Sequence, residues 1–417
     1  MKISIPKLPV YFEYIIFISF VEIFFFLLLN SLGFQVFQLV PYLRIFVIFF
    51  TILFILKRIK MPISVLSFSL NRTIENKIMA FWFLISVICF IVGLLRLNPI
   101  LYLFTDFFYI IIGYFLFRLI QIKDKKIQIY YQLSTRQEFF FIGIIIFLTI
   151  IATIFKIIAP SFLIIFTMCY SLYLFKEKNY KIAFFYLIPF FLQILSANRA
   201  LILVFMVLIF FAFTSEKISK RNITIFSVSS IVIFIALFYF LEDILKVIIE
   251  AMDESSTLRH RLVQLQSVFS GKINWNTPSA LSLKQRLVEI NLVIEFWFSS
   301  VFNFTFGGGL GATLDGSTFK DKGVVASAIL GKSHIHNIHV LPFSIILRYG
   351  FLGLIFIGLL LNLFLKYFKI ILFEGKSYLL PLYLFVFCWI LYSIPAASFL
   401  WTTPLFWLTL SVNSNEN

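Results

Sequence analysis

The chain has 417 residues, of which 61% are apolar and only 13% are charged, about half the charged share of a soluble globular protein. A water-soluble fold cannot bury so much apolar surface, so the composition excludes a soluble enzyme and a disordered protein. It indicates a polytopic membrane protein instead. The net charge of +16 would suit nucleic acid, but membrane proteins concentrate Lys and Arg on the cytoplasmic side, so no nucleic-acid partner is expected.

Twelve apolar runs are long enough, or nearly long enough, to cross a bilayer as helices, and we therefore predict about twelve transmembrane helices. The runs are 10–29, 38–56, 80–95, 98–117, 139–155, 161–175, 182–195, 200–214, 223–241, 341–365, 377–395 and 397–412. The first run begins too late and is too long for a cleaved signal peptide, so we expect an uncleaved anchor.

The basic residues predict the orientation of these helices. With the N-terminus in the cytoplasm, the short inner segments hold several times more Lys and Arg than the short outer segments. This bias places both termini in the cytoplasm. It also divides the chain into nine helices over 1–241, one large outer loop over 242–339, and three helices over 340–417.

The outer loop carries most of the polar features that could support chemistry. Helical periodicity predicts helices over 242–268 and 284–300, with a turn-rich stretch between them. The loop also holds all four histidines of the chain, which are His260, His334, His336 and His339. We therefore expect a helical extramembrane subdomain that carries the functional site.

Several arginines on the outer side are candidates for binding an anion. Guanidinium groups bind phosphate oxygens through paired N–H donors, which Lys does less well. The candidates are Arg199, Arg286, Arg259 and Arg261. The simpler alternatives are that Arg199 snorkels to the membrane surface and that Arg286 pairs with Glu289, one helical turn away.

Two further stretches in the loop have competing interpretations. The glycines of 307–311 lack the flanking strand and the Lys of a nucleotide-binding loop, so we interpret them as a tight backbone turn. The histidines of 334–339 could serve as a general base, could form a metal site, or could have no role. The base is favoured over the metal, because no carboxylate or Cys adjoins them.

Charged residues inside apolar runs are functional candidates in a membrane protein. Asp106 lies about two turns inside the outer end of its run, and Glu22 lies within the first run. We expect Asp106 to form a structural ion pair with an outer-face arginine such as Arg96 or Arg199. No role is assigned to Glu22.

Together these motifs resemble the O-antigen polymerase and O-antigen ligase superfamily of bacterial glycan-assembly proteins. The matching elements, in order, are Ser196-x-x-Arg199-Ala200, Arg286-x-x-Glu289, the stretch Phe306 to Gly311, His336-Asn337-x-x-x-Leu341, and the stretch Arg348 to Leu354. Each motif is short, and their order and shared membrane face carry the resemblance, which covers residues 196–360. Family members often have an acidic residue near Arg348, so no role is expected for Arg348.

The resemblance implies an all-α, GT-C-like glycosyltransferase of the bacterial inner membrane, with the outer loop in the periplasm. Its substrate would be an undecaprenyl-diphosphate-linked oligosaccharide, and it would need neither a metal nor a cofactor. The pyrophosphate would be bound by Arg199, Arg286, Arg259 and Arg261, and His336 would be the catalytic base. Supporting residues would be Asn337, Glu289, His339 and Asp106. Besides membrane lipids, partners would include a chain-length regulator and a flippase.

Three activities fit this picture to different degrees. A polymerase would transfer the glycan to another lipid-linked repeat unit, whereas a ligase would transfer it to lipid A-core. We favour the polymerase because divergent, Phe-rich, weakly patterned sequences are common among polymerases. A flippase or secondary transporter is less favoured, because it predicts two corresponding halves with charges near the midplane.

The predicted topology can be tested with reporter fusions. A periplasmic phosphatase fused near residue 300 should be active, because that position is expected outside the cytoplasm. The same reporter fused near residue 220 should be inactive. The opposite pattern of activities would contradict both the charge argument and the placement of the site.

Overall fold

The computed structural model describes the greater part of the chain. The described residues are 8–31, 46, 49, 50, 53, 73–120, 133–155, 157, 159–194, 199–213, 246, 249, 250, 259, 263, 266, 278–321, 334–336, 338–373, 379–395, 400 and 403–415.

Helices dominate the described residues, and two short strands pair antiparallel. The helices before the outer loop are α1 Leu8–Ser31, α2 Ile74–Leu95, α3 Ile100–Ile120, α4 Thr135–Ile154, α5 Ser161–Lys176, α6 Tyr180–Ile194 and α7 Arg199–Phe213. The loop contains α8 Pro278–Phe298, α9 Val301–Phe306, β1 Leu314–Asp315, α10 Gly316–Asp321 and β2 His334–Ile335. The remaining helices are α11 Leu341–Phe373, α12 Leu380–Ser393 and α13 Pro404–Asn415.

In the part of the chain that the structure describes, five helices are long and apolar enough to cross a membrane. They are α1, α2, α3, α4 and α11, and shorter apolar helices include α5, α6, α7 and α12. This helical, apolar architecture is that of an all-α membrane protein, as expected from the composition. The expected run 38–56 is described at only four positions, and the run 223–241 lies outside the described residues.

The loop helices differ in detail from the sequence expectation. A helix over 284–300 is confirmed, but α8 begins earlier, at Pro278, a residue type that is well suited to the first turn of a helix. It ends at Phe298, and Ser300 then caps the separate short helix α9 by accepting a hydrogen bond from the Asn303 backbone. Most of the helix expected over 242–268 lies outside the described residues.

Helices α2 and α11 pack antiparallel, and the stretch after α9 lies between the end of α2 and the first turns of α11. At one end, Lys366 Nζ lies 2.7 Å from a Glu75 carboxylate oxygen, and the Tyr367 hydroxyl donates to the same oxygen at 3.1 Å. Further along, Trp82 lies between Trp407 and Phe356, with ring centroids 4.6 and 6.0 Å away. These contacts align α2 with α11 along their length.

The glycine stretch after α9 packs backbone against backbone. Gly350 interrupts α11 with φ 57° and ψ −135°, and a Cβ at this position would lie 2.5 Å from the Gly307 nitrogen. Gly309 has φ +78°, and a Cβ there would lie 2.5 Å from the Gly93 nitrogen in α2. Only glycine fits such a conformation at so short a distance, so the expected tight backbone turn is present and is clamped between two helices.

Replacing Gly309 with alanine should destabilise the protein markedly. The left-handed backbone alone costs about 1–2 kcal/mol for a residue with a Cβ, and the overlap with the α2 backbone adds to that cost. The midpoint of thermal unfolding in detergent should therefore fall by several degrees.

Gly358→Ala is the matched control for this substitution. Gly358 lies in α11, and no heavy atom lies within 4 Å of the position that a Cβ would take there, so alanine should be neutral or slightly stabilising. Equal unfolding midpoints for the two variants would contradict the clamp.

Candidate functional site

Asp106, on α3, is the centre of a buried polar cluster that joins α3 to α11 and to the loop before α11. One of its carboxylate oxygens accepts hydrogen bonds from Arg348 Nε at 2.9 Å and from the Gly311 backbone at 3.1 Å. The other oxygen lies 3.1 Å from His336 Nε2. A carboxylate buried in this way needs such partners, because it has lost its hydration.

The ion pair expected for Asp106 exists, but with a different arginine. The sequence suggests Arg96 or Arg199 as the partner, whereas the structure pairs Asp106 with Arg348. Arg96 instead donates to the side-chain oxygen of Asn303. The side chain of Arg199 lies outside the described residues, although its backbone begins α7.

Arg348, for which no role is expected from sequence, is the cation of this cluster. It is 2% exposed, and Nη1 donates to the backbone and side-chain oxygens of Ser344, at 3.2 and 2.6 Å. Nη2 donates to the His336 carbonyl at 3.2 Å. The resemblance suggests an acidic residue near this position, which is why no role is expected for Arg348. A single arginine inside the apolar run 341–365 is nevertheless itself a sign of a structural or functional role.

His336 is held from three sides. Its ring stacks on Tyr102, with centroids 4.5 Å apart and planes 7° apart, and Nδ1 donates to the Ala312 carbonyl at 3.0 Å. Nε2 lies 3.1 Å from both Arg348 Nη2 and Asp106. A neutral ring accepts there from Arg348, and a protonated ring donates to Asp106.

This geometry does not fit the role of catalytic base that the sequence suggests for His336. The residue is 9% exposed, and both ring nitrogens already have protein partners. A base must lie within hydrogen-bond reach of the acceptor hydroxyl, and an imidazole so enclosed has no free nitrogen for that hydroxyl.

His339 has the arrangement that His336 lacks. Its Nδ1 lies 2.7 Å from Glu289 Oε1, and its backbone N–H donates to Glu289 Oε2 at 2.8 Å. Glu289 is fully buried on α8, while 45% of the His339 side chain is exposed. In the neutral ring Nδ1 donates to this carboxylate, which leaves Nε2 as the acceptor nitrogen of a half-exposed side chain.

The pairing of Glu289 with Arg286 stays a prediction, whereas the structure shows other partners of Glu289. Gln285, one residue before Arg286, donates to Glu289 Oε1 at 2.8 Å. His339 and Gln285 therefore hold both oxygens of this carboxylate, where the spacing alone suggests Arg286. Arg286 itself is half-buried on α8, three residues before Glu289.

Of the four remaining candidate residues, the structure describes Arg259 and His334. Arg259 is half-buried. Arg261 and Asn337 lie outside the described residues. His334 is exposed on β2, where its Nδ1 lies 3.4 Å from the Thr313 hydroxyl, away from the Asp106 cluster.

The backbone N–H groups of the glycine turn are used within the protein. Gly308 donates to the Leu347 carbonyl at 2.7 Å, and Leu310 donates to the Cys89 carbonyl at 2.9 Å. Gly311 donates to Asp106, and Asn98 adds a side-chain bond to the Gly308 carbonyl. A phosphate-binding loop needs such N–H groups to be free for the anion, so this turn is structural.

No group of three or more His, Cys, Asp or Glu side chains that could hold a metal ion occurs among the described residues.

Comparison of the chain with family models, with curated proteins and with solved structures finds no match.

The Asp106–Arg348 pair should be essential for stability. Removing one partner of a buried pair leaves the other charge uncompensated, which costs about 3–5 kcal/mol. Asp106→Asn and Arg348→Gln should each lower the midpoint of thermal unfolding in detergent strongly. The double variant should be less destabilised than the two single effects added together, because it leaves no charge alone.

A loss below about 1 kcal/mol in both single variants would indicate a pair that behaves like an exposed one. That result would contradict the burial on which this site is built.

Proposed function

We propose that the chain is a lipid-carrier-dependent glycosyltransferase that uses an undecaprenyl-diphosphate-linked oligosaccharide. The observation that carries the proposal is the Glu289–His339 pair, a half-exposed imidazole held by a fully buried carboxylate. It lies where the outer loop meets α11, next to a helix that carries Arg286. Transfer of a glycan from a lipid diphosphate requires a base, a nearby cation and an adjoining membrane helix.

The reaction would be a displacement at the anomeric carbon of the lipid-linked sugar. His339 Nε2 accepts the proton of the acceptor hydroxyl, whose oxygen forms a new bond to that carbon. The bond from carbon to the phosphate oxygen breaks, and its electron pair leaves with undecaprenyl diphosphate. Glu289 holds the Nδ1 proton and stabilises the imidazolium as it forms, as the carboxylate of a catalytic triad does.

The leaving diphosphate needs positive charge close to the site of transfer. Arg286 is three residues before Glu289 on α8, so the two side chains lie on neighbouring positions of one helix face. Arg199, at the start of α7, and Arg259 and Arg261, in the loop, are further candidates on the outer side. Fixed cations that face developing negative charge are usually a large part of catalysis.

In this proposal the Asp106 cluster positions the base and does not itself react. His336 is three residues before His339, and the bonds of His336 to Arg348 and Ala312 fix the start of that short stretch. Fixing one end of the stretch limits the positions that the His339 ring can adopt. His336 is thus a positioning residue, and the role of base moves from His336 to His339.

The wider assignment belongs to the same proposal. It comprises about twelve membrane helices in a GT-C-like arrangement, an inner-membrane location with both termini cytoplasmic, and a metal-independent reaction. The acceptor that we favour is a second lipid-linked repeat unit, which makes the enzyme an O-antigen or capsule-type polymerase. The alternative acceptor is lipid A-core, which would make it a ligase.

His339→Ala should abolish transfer without unfolding the protein. A general base contributes about a hundred- to ten-thousandfold, so kcat should fall at least about a hundredfold in proteoliposomes supplied with lipid-linked repeat units. The KM for the lipid substrate should change little, because the imidazole acts on the acceptor hydroxyl. The unfolding midpoint should fall only modestly, because the buried Glu289 keeps the His339 backbone N–H and Gln285 as partners.

His334→Ala is the matched control, since His334 is an exposed histidine of the same segment outside the Glu289 pair, and it should retain activity. His336→Ala should instead lower both activity and the unfolding midpoint. Glycan ladders made by His339→Ala at the wild-type rate would refute the base. A need for an ion gradient, or inhibition by EDTA that zinc relieves, would refute the proposed mechanism.

A further inference from the structure

The segment around α9 has a surface unlike the rest of the outer loop. Residues 296–314 contain no charged side chain, although Glu295 and Asp315 flank them directly. Within the segment, Val301 is 84% exposed, and Phe298 and Phe302 are also exposed. A contiguous exposed apolar surface of this kind marks contact with another apolar phase.

This surface continues into the apolar faces of the long helices. The ring of Phe304 stacks on Phe351, with centroids 5.8 Å apart. Phe351 begins a stripe of exposed apolar residues along one face of α11, made up of Phe351, Leu354, Ile355, Leu361 and Leu365. On the other side, Leu95 at the end of α2 and Leu97 just after it are exposed as well. The α9 surface is therefore joined to the faces that the spans would present to lipid.

Helix lengths place α9 below the outer boundary of the membrane. The 22 residues of α2 extend about 33 Å at 1.5 Å per residue, close to the hydrocarbon thickness of about 30 Å. Leu310 binds the Cys89 carbonyl, six residues before the end of α2, and is therefore about 9 Å below that end. A similar level follows along α11 from the Glu75–Lys366 pair. Gly350, which contacts Phe304 and Thr305 of α9, is sixteen residues from Lys366, or about 24 Å.

Several polar side chains of the segment find partners within it, as a hydrocarbon environment favours. Trp297 Nε1 donates to the Phe304 carbonyl at 2.8 Å, and the Thr305 hydroxyl donates to the Val301 carbonyl at 2.9 Å. Asn303 Nδ2 donates to the Ser299 hydroxyl at 2.6 Å. A segment exposed to water would not need these internal hydrogen bonds, because water could supply the partners.

One arginine marks the edge of this surface. Arg96 follows α2 directly, its guanidinium donates to Asn303, and its Cζ lies 5.0 Å from the centre of the Phe302 ring. Half-buried by an aromatic ring and held by an amide, it has the setting of an arginine that snorkels from the apolar layer toward water.

We propose that residues 296–314 dip into the outer leaflet, with α9 in contact with lipid acyl chains. The outer loop is then partly a re-entrant membrane element and not wholly a solvated subdomain. The buried cluster around Asp106 lies behind this element, so lipid covers one side of the region that holds the site. This inference concerns the location of α9 and does not depend on the proposed glycosyl transfer.

Spin labels on single introduced cysteines can measure this location in proteoliposomes. Val301→Cys places the label on α9, and Ser317→Cys places a matched label on an exposed residue of α10, outside the uncharged segment. The native cysteines are buried, and the protein without an introduced cysteine gives the background. The label at 301 should collide more with oxygen, which concentrates in hydrocarbon, and less with a water-soluble nickel chelate, whereas the label at 317 should show the reverse.

Two results would overturn the proposal. Equal access of the nickel chelate to positions 301 and 317 would mean that α9 is in water. Exclusion of both reagents from position 301 would mean that protein, either a second copy or another partner, covers the surface. If Val301→Cys lowers the unfolding midpoint, Phe298→Cys on the same surface gives the decisive measurement, because its side chain is also exposed.

Discussion

The ion pair between Asp106 and Arg348 is the constraint on which the packing of α3, α11 and the loop between α7 and α11 depends. Two charges are withdrawn from water, and the cost of burying them is offset only if every oxygen and N–H finds a partner. Asp106 therefore forms hydrogen bonds with the Gly311 backbone and with His336, and Arg348 forms one with Ser344. Satisfying a single pair therefore fixes a membrane helix, a glycine turn and a histidine segment relative to one another.

Much of the fold could be predicted because it follows from hydrophobicity along the chain. The long apolar helices appear where apolar runs occur, and α8 appears where helical periodicity occurs. The short helix α9 could not be predicted in the same way, because its six residues carry too little periodic signal. The contact of its backbone with Gly350, and that of the following glycine turn with Gly93, join segments that are far apart in sequence.

The site was predictable in its residue types but not in its pairing. Asp106, His336, His339 and Glu289 all stand out as polar residues in an apolar chain. The Asp106–His336 pair, however, joins residues 230 apart, and the Glu289–His339 pair joins residues 50 apart. Sequence spacing therefore could not tell an enclosed imidazole from an exposed one three residues later. That distinction depends on which carboxylate each ring meets, and only the tertiary structure determines it.

The same ion pair also constrains how the protein is made. Asp106 and Arg348 are 242 residues apart, so at about 5–20 residues per second the cation is synthesised roughly 12–48 s after the anion. During that interval the carboxyl group of the nascent chain has to stay hydrated or protonated, because a bare charge in hydrocarbon is costly. The end of α3 that carries Asp106 can therefore reach its final position only after the loop has been synthesised and α11 has packed beside it. Completion of the site is thus one of the last steps in biogenesis, and a chain truncated before residue 348 would leave this carboxylate without its cation.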